Sequence, residues 1–407
     1  MSDPVIVIGA GVVGLSVALA AQARGLDVSA IDRDGPAAGA STGNAGAFAF
    51  ADVMPLASPR IIRQAPKWLL DPLGPLSVPP AYALKIAPWL WRFWRASFPR
   101  RVAASTKALI ALNAHSAASL DPFLAQAGLS HMVRQKGQLQ LYEGAREFAD
   151  SLPGWAVRAE NGIAFQHLHG AEIAEYQPGL SPRFTHATWT PGWRSVTDPR
   201  AYTLALANVF TARGGAILKR CATALRTNGV ETDQGPMTGR VVLAAGAWSH
   251  HLARTLGASI PLETERGYNT TLPMGAFDLR TQLTFGGHGF VVSPLESGVR
   301  VGGAVELGGL DLPPNMARAD AMLERAKAFL PGLQTTGGVQ WMGFRPSLPD
   351  SLPAIGPLKQ SPNTICAFGH GHLGLTQSTA TAEIVADLLT ARTPPLDLTP
   401  FSPDRFA

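Results

Sequence analysis

The 407-residue sequence predicts an α/β protein in which a Rossmann-like, parallel-sheet domain is interleaved with a second, α+β domain built on antiparallel strands. Three observations predict it. A strand, a glycine turn, a helix and a second strand follow one another within residues 4 to 34, and several later segments alternate apolar and polar residues as half-buried antiparallel strands do. The two kinds of segment also intermingle along the chain instead of parting at one linker. The expected domains are therefore discontinuous: 1–50, 199–256 and 336–407 form one, 51–198 and 257–335 the other.

Taken in order, Val5 to Ile8 is an apolar strand, Gly9 to Gly14 a glycine turn, Val17 to Ala23 the apolar face of a helix stopped by Gly25, and Val28 to Ile31 the second strand. Residues 54 to 101 break into proline-rich pieces carrying Trp68, Trp89, Trp91 and Trp94 among arginines. A helix is expected over 103–127, ended by Gly128. Strands follow at 137–142, 187–196, 241–244, 267–272, 289–295 and 299–307, with helices at 199–213 and 317–329. A last helix, Gln377 to Thr390, has Thr376 as its expected N-cap.

Composition excludes several classes. The chain is 46% hydrophobic and 15% charged, with 42 glycines and 33 prolines, which fits a globular protein rich in tight loops. The net charge of +5 is spread without a run of five cations, so nucleic-acid binding has no support. Cys221 and Cys366 stand alone, which argues against a disulfide framework and for a reducing, cytoplasmic setting. The amino-terminal run lacks a cationic leader, and no eighteen-residue apolar stretch occurs.

The glycine turn carries chemistry. GAGVVG satisfies G-x-G-x-x-G after a strand and at the opening of a helix. Gly9 permits the turn, Gly11 lets the backbone approach a pyrophosphate, Gly14 lets helix and strand pack, and Val12 and Val13 begin the helix whose positive end faces the phosphates. Asp32, eighteen residues after Gly14, is placed to accept ribose hydroxyls. Arg33 follows it, and then a small-residue loop holding Ser41, Thr42, Asn44, Ala45 and Gly46 takes the place of the regular βα alternation usual in NAD domains. Such a loop either lies flat along a flavin or is a flexible surface loop. The strand VVLAAGAWS, residues 241 to 249, brings Gly246 close to the same cofactor or is a plain buried turn.

These pieces, with ERGYNTTLP (265–273), GFRPSLPDSLPAIG (343–356) and FGHGHLGLT (368–376), resemble the D-amino acid oxidase superfamily of FAD enzymes, and within it the bacterial D-amino acid dehydrogenases. The resemblance covers essentially the whole chain. It implies FAD between a nucleotide domain and a substrate domain with a large antiparallel sheet, and it assigns Arg345 of G-x-R-P to the substrate carboxylate, a planar fork matching a planar anion. Arg266, Tyr268 and His370 follow as further residues orienting the substrate, and His288 is either cavity-facing or a structural histidine. Met342, Gly343 and Phe344 precede Arg345 with no cysteine among them, so non-covalent FAD is expected.

The implied reaction is oxidation of an α C–N bond by hydride transfer to flavin N5, giving an imine that hydrolyses; no side-chain base at the carbon is required. D-proline and cis-4-hydroxy-D-proline are the expected substrates, with quinone, carrier protein or oxygen as acceptor. A glycine or sarcosine oxidase is the alternative, and an FAD-containing assembly factor or tRNA-modifying protein stands for another class. The aromatic segment 82–101 reads either as a membrane-facing element or, preferred, as a buried helix with snorkelling arginines. The last motif is a turn feeding a helix, so Gly371, His372, Leu373, Gly374 and Thr376 are expected against the flavin edge that gains negative charge. No metal is expected at its two histidines, because no acid or cysteine lies within the turn.

Overall fold

The structure is a computed structural model and describes residues 3–69, 71 and 73–406, the side chain of Lys67 excepted. Four consecutive apolar residues, Val5–Ile8, are buried throughout because they run through the middle of a parallel sheet with both faces covered. Their neighbours are Val28–Asp32 and Arg240–Leu243, in register from Val5 against Val28 on one side and Arg240 on the other. The six-stranded order is Ala216–Lys219, Val28–Asp32, Val5–Ile8, Arg240–Leu243, Ser361–Phe368 and Ala354–Leu358, the last joined antiparallel at the edge. Helices Val12–Ala23, Pro99–Ala127, Pro199–Ala212 and Gly374–Leu389 share one apolar core against this sheet, through residues such as Leu15, Leu112, Leu206 and Ile384.

The second large sheet has the strand path Val339–Ser347, Glu263–Leu272, Gly298–Glu306, Phe290–Leu295, Gln282–Phe285, Gln138–Tyr142, His186–Thr190 and Gln166–His169, and Leu76–Ser77 pairs beside Gly298–Glu306. It is antiparallel except where Gln282–Phe285 meets Gln138–Tyr142 and where Leu76–Ser77 joins. Both exceptions bring together segments far apart in sequence, where no hairpin fixes the direction. Helix Ala317–Phe329 covers one face, packing Met322 and Phe329 among Tyr268, Leu272 and Val301. The opposite face is left to line a cavity.

The expected single strand over 187–196 is two, His186–Thr190 and Arg194–Val196, since Pro191 and Gly192 turn the chain, with the Trp193 N–H donating to Thr190 O. Helix 103–127 begins earlier, at Pro99, whose fixed φ suits a first helical position; Gly128, at φ +72°, ends it as expected. The aromatic segment forms helix Ala83–Ala96. Only Ile86, Trp89 and Ala96 of it are buried, so the expectation of a buried helix is corrected. None of the helices among the described residues is long and apolar enough to cross a membrane.

Candidate active site

A single cavity of about 1290 Å³ runs from the glycine turn, across the loop at residues 41 to 45, to the open face of the second sheet. At one end Gly9 sits at φ +110°, and a Cβ there would lie 2.3 Å from Ala244 O; a Cβ on Gly14 would lie 1.9 Å from Gly9 O. Only glycine fits either position. Ser41 Oγ accepts the Val12 N–H at 2.9 Å, tying the loop to the helix start. Asp32 accepts the N–H groups of Ala10 (2.8 Å), Asp34 (2.9 Å) and Gly35 (3.0 Å), so the acid builds the turn as well as facing the cavity. Arg33 lies 4.6 Å over the Trp248 ring, forming a flat wall that the sequence reading did not identify.

The 41–46 loop is pinned. Asn44 accepts the Gly46 N–H at 2.7 Å and donates to Ser41 O at 2.9 Å. From the second sheet, Arg300 donates to Asn44 O (2.7 Å) and Thr42 O (3.2 Å), and Asn269 to Gly43 O (2.9 Å). A Cβ on Gly43 would fall inside the Trp341 ring, so indole and loop backbone are in direct contact. Asn269, Arg300 and Trp341 were missed because their partners lie more than 200 residues away and no local motif announces them.

Past the loop, the strand Ser361–Phe368 ends in the turn that the sequence marked out. Gly371 N–H donates to Pro346 O at 2.7 Å and helix Gly374–Leu389 starts two residues earlier than Thr376. Thr376 is not its cap: its hydroxyl accepts the Ala49 N–H at 2.9 Å and reaches Ala47 O at 3.3 Å, holding the chain after the loop. The cap position belongs to Leu373, leaving the first-turn N–H groups without intrahelical acceptors beside Gly371, His372 and Gly374, all of which border the cavity.

The two histidines diverge. His370 bonds Thr381 Oγ1 at 3.0 Å, and burial pushes its pKa down to about 3, so its ring is neutral. His372 bonds Asp52 at 3.0 Å. Burial alone would depress it, but the hydrogen bond and charge of Asp52 outweigh this and raise it; in return His372, assisted by Arg158, lowers Asp52 against its own burial. Each side chain is about a third accessible, 36% and 35%, yet that surface faces the cavity. Among the described residues no group of three or more His, Cys, Asp or Glu is placed to hold a metal.

Arg345 reaches across Gly267, whose Cβ would lie 2.2 Å from its Nη2, and donates to Ala304 O (2.9 Å) and Gly303 O (3.4 Å). Ala304 has φ +56°, unusual for a residue with a side chain, and a register shift falls in the same strand pair, so a bulge turns these carbonyls to the arginine. Burial lowers the Arg345 pKa, and Glu265, directly opposite in register, opposes the shift. Two of five donors suffice for the carbonyls; the rest are available to an anion in the cavity.

Strand Glu263–Leu272 corrects the expectation beside it. Glu265, Gly267 and Asn269 border the cavity, whereas Arg266 is 0% exposed on the other face, donating to Glu306 (3.1 Å), Gly309 O (2.7 Å), Leu312 O (2.6 Å) and Pro313 O (3.1 Å). Tyr268 touches the cavity, but its hydroxyl donates to Glu306 at 2.9 Å and accepts the Asn315 N–H at 3.1 Å. Neither side chain's polar end is offered to a ligand. His288 is structural, paired with Glu143 at 2.7 Å outside the cavity.

Of the expected cofactor contacts, Gly9, Gly11, Val12, Val13, Asp32, Arg33, Ser41, Asn44, Ala45, Gly246, Gly371, His372 and Gly374 border the cavity. Gly14, Thr42, Gly46, Leu373 and Thr376 lie behind it as supports. The cradle, the long cavity and two buried polar atoms on its wall without a partner among the described residues, Asn269 Oδ1 and Thr190 Oγ1, fit an extended dinucleotide.

Comparison with known proteins agrees. The profile of the DAO family, FAD dependent oxidoreductase, matches residues 4–388. A D-amino-acid oxidase of Bradyrhizobium diazoefficiens is 34% identical over 99% of this chain and 98% of its own, and a D-amino acid dehydrogenase of Rhizobium johnstonii 30% identical over 97% of each. The fold is shared with glycine oxidase of Geobacillus kaustophilus (TM-score 0.80, 21% identity, 99% of both chains) and with L-proline dehydrogenase of P. horikoshii (0.76, 20%, 100% and 98%). The chain belongs to the DAO family of FAD-dependent oxidoreductases, and FAD is its cofactor.

Proposed function

We propose that this oxidoreductase removes hydride from the α-carbon of a D-amino acid, with D-proline or cis-4-hydroxy-D-proline as the substrate and with FAD held without a covalent bond. The observation that carries the reading is Arg345, a half-buried guanidinium whose acceptors among the described residues are two carbonyls, facing the cavity between the 41–46 loop and the 370–374 turn. When bound, FAD supplies the two-electron acceptor.

The protein does the rest by placement. Arg345 grips the substrate carboxylate, which fixes the α-carbon. Neutral His370 adds no competing charge, and the first-turn N–H groups of helix Gly374–Leu389 favour negative charge developing beside them. Asn269, Arg300 and Trp341 keep the loop against one side of the site. The glycine-turn residues and Asp32 take the nucleotide half, and the site is proposed to lie where the discontinuous domains 1–50, 199–256 and 336–407 and 51–198 and 257–335 meet, with helix Pro99–Ala127 packing on the first domain's sheet and strand Val339–Ser347 belonging to the second's.

Choice of substrate rests on the wall opposite. Register aligns Asn269, Gly302, Val291, Thr284 and Gln140 across five strands on the cavity face, an uncharged row suited to a compact, weakly polar side chain. The D-configuration draws support from the two relatives named for D-amino acids, and the glycine or sarcosine alternative from the glycine oxidase fold neighbour. Anaerobic mixing of the FAD-loaded protein with D-proline, cis-4-hydroxy-D-proline, L-proline, glycine and sarcosine decides between them. Bleaching by either cyclic D-amino acid is expected; bleaching by glycine or sarcosine alone would replace the proposal with the alternative.

A further inference from the structure

We propose that helix Ala83–Ala96, continued by Phe98, seats the protein on an anionic lipid bilayer, with the apolar mouth of the cavity turned to the lipid. The helix has two apolar sides. Ile86, Trp89 and Phe93 pack inward on Leu76, Val78 and Leu307. On the other side Leu84 (91% exposed), Trp91 (59%), Trp94 (40%) and Phe98 (45%) recur at spacings that share one helix face, with Trp91 stacked on Trp94 at 4.9 Å and Trp94 edge-on to Phe98 at 4.8 Å. A patch of this kind on a soluble surface marks an interaction site.

Charge says with what. Between residues 53 and 120 the sequence holds nine lysines and arginines and one acid, Asp71, a local charge of +8 in a chain of net +5. Lys85, Arg92 and Arg95 are exposed beside the aromatic stripe, and Arg100 and Arg101 just beyond it. Aromatic side chains flanked by cations suit the headgroup boundary of an anionic leaflet, which takes the rings into its apolar edge and the cations into its phosphate layer. Nucleic acid would meet the cations and leave Leu84 without an apolar partner, and a second copy would bring +8 against +8.

The cavity reaches this surface. Leu69, at the end of helix Pro59–Leu69, and Leu90, on the aromatic helix, both line it while being 46% and 36% exposed. Behind them its walls include Ile62, Trp68, Trp89 and Phe93, with Arg60 and Gln64 on the same helix as its polar edge, so the arm presents apolar rings beside a cation at the rim, as a mouth seated at a headgroup boundary would.

The test is co-sedimentation of the FAD-loaded full chain with phosphatidylcholine vesicles containing or lacking phosphatidylglycerol. Binding to the anionic vesicles that weakens with added salt is expected, at least ~10-fold weaker in W91S/W94S/F98S and about 30-fold weaker in R92Q/R95Q, which loses two interfacial cations. None of these five side chains lines the cavity, so flavin content and turnover of a soluble assay remain at the wild-type level, which shows the variants folded. Absence of binding, equal binding with and without phosphatidylglycerol, or equal binding by wild type and both folded variants would overturn the proposal. So would RNA binding lost in R92Q/R95Q without vesicle binding, or a dimer that W91S/W94S/F98S converts to monomer without it.

Discussion

Arg266 and Arg345 lie on neighbouring strands of one sheet, one pairing position apart, the first buried and the second half-buried, and they do opposite things. Arg266 has all three nitrogens engaged and faces Glu306 inside the protein; Arg345 has no carboxylate within ion-pair distance among the described residues and faces the cavity. The difference is the pleat. Alternate residues of a strand point to opposite faces, so one position separates a structural ion pair from a guanidinium available to a ligand.

Removing each arginine should separate the roles. Arg266→Met leaves Glu306 buried with Tyr268 as its remaining side-chain hydrogen-bond donor among the described residues and Arg318 as the nearby cation, and a loss of about 3 kcal/mol in unfolding free energy is expected. In R266M/E306Q most of that loss should return, since the buried carboxylate that lost its hydrogen-bonded guanidinium has gone. Chemical denaturation measures both; equal stability of R266M and wild type would show the ion pair to be slack. Arg345→Lys keeps the charge and gives up the fork, so kcat/KM should fall about 100-fold through loss of two-pronged binding, with the unfolding midpoint near wild type. Steady-state kinetics on the substrate found by flavin bleaching checks it.

A smaller effect sharpens the contrast from a third residue. A methyl on Gly267 would strike the Arg345 guanidinium at 2.2 Å. Gly267→Ala is expected to raise KM about tenfold with kcat much less affected, an overpacking effect of about 1–3 kcal/mol expressed mainly in substrate binding. A change confined to kcat would mean that the arginine serves the chemical step rather than the grip.

The same alternation sets what could be read from the sequence. GAGVVG and Asp32 were legible because their spacing encodes backbone requirements: a positive φ at Gly9, a contact at Gly14, and N–H groups for an acid to accept. The turn at 368–376 was legible as a turn feeding a helix, though not the cap, because a threonine that could close the helix instead bonds a loop more than 300 residues away in sequence. ERGYN was legible as a strand beside the cavity but not as a choice of face. A one-residue slip of register exchanges Arg266 and Tyr268 for Glu265, Gly267 and Asn269, and nothing local selects between them. The clamp of Asn269, Arg300 and Trp341 on the loop exists only once two sheets face each other.

The mildest perturbation concerns the pair that links the turn to residue 52. Asp52 is held below its usual pKa, so its contribution to stability is present above about pH 4 and is lost as pH falls through the lowered value. His372 is held above 6.5, so its contribution is present below that pH and is lost as pH rises through the raised value. The ion pair is thus complete in the window between Asp52's depressed pKa and His372's raised one. Asp52→Asn removes the partner whose charge and hydrogen bond outweigh burial at His372, leaving burial to depress the imidazole. In that variant the pH dependence of flavin reduction should lose any limb above pH 6.5 and gain one at lower pH, while R345K keeps the wild-type profile at reduced height. A D52N profile superimposable on wild type would show that the His372 charge does not reach the reaction, and would leave Arg345 as the cation that governs it.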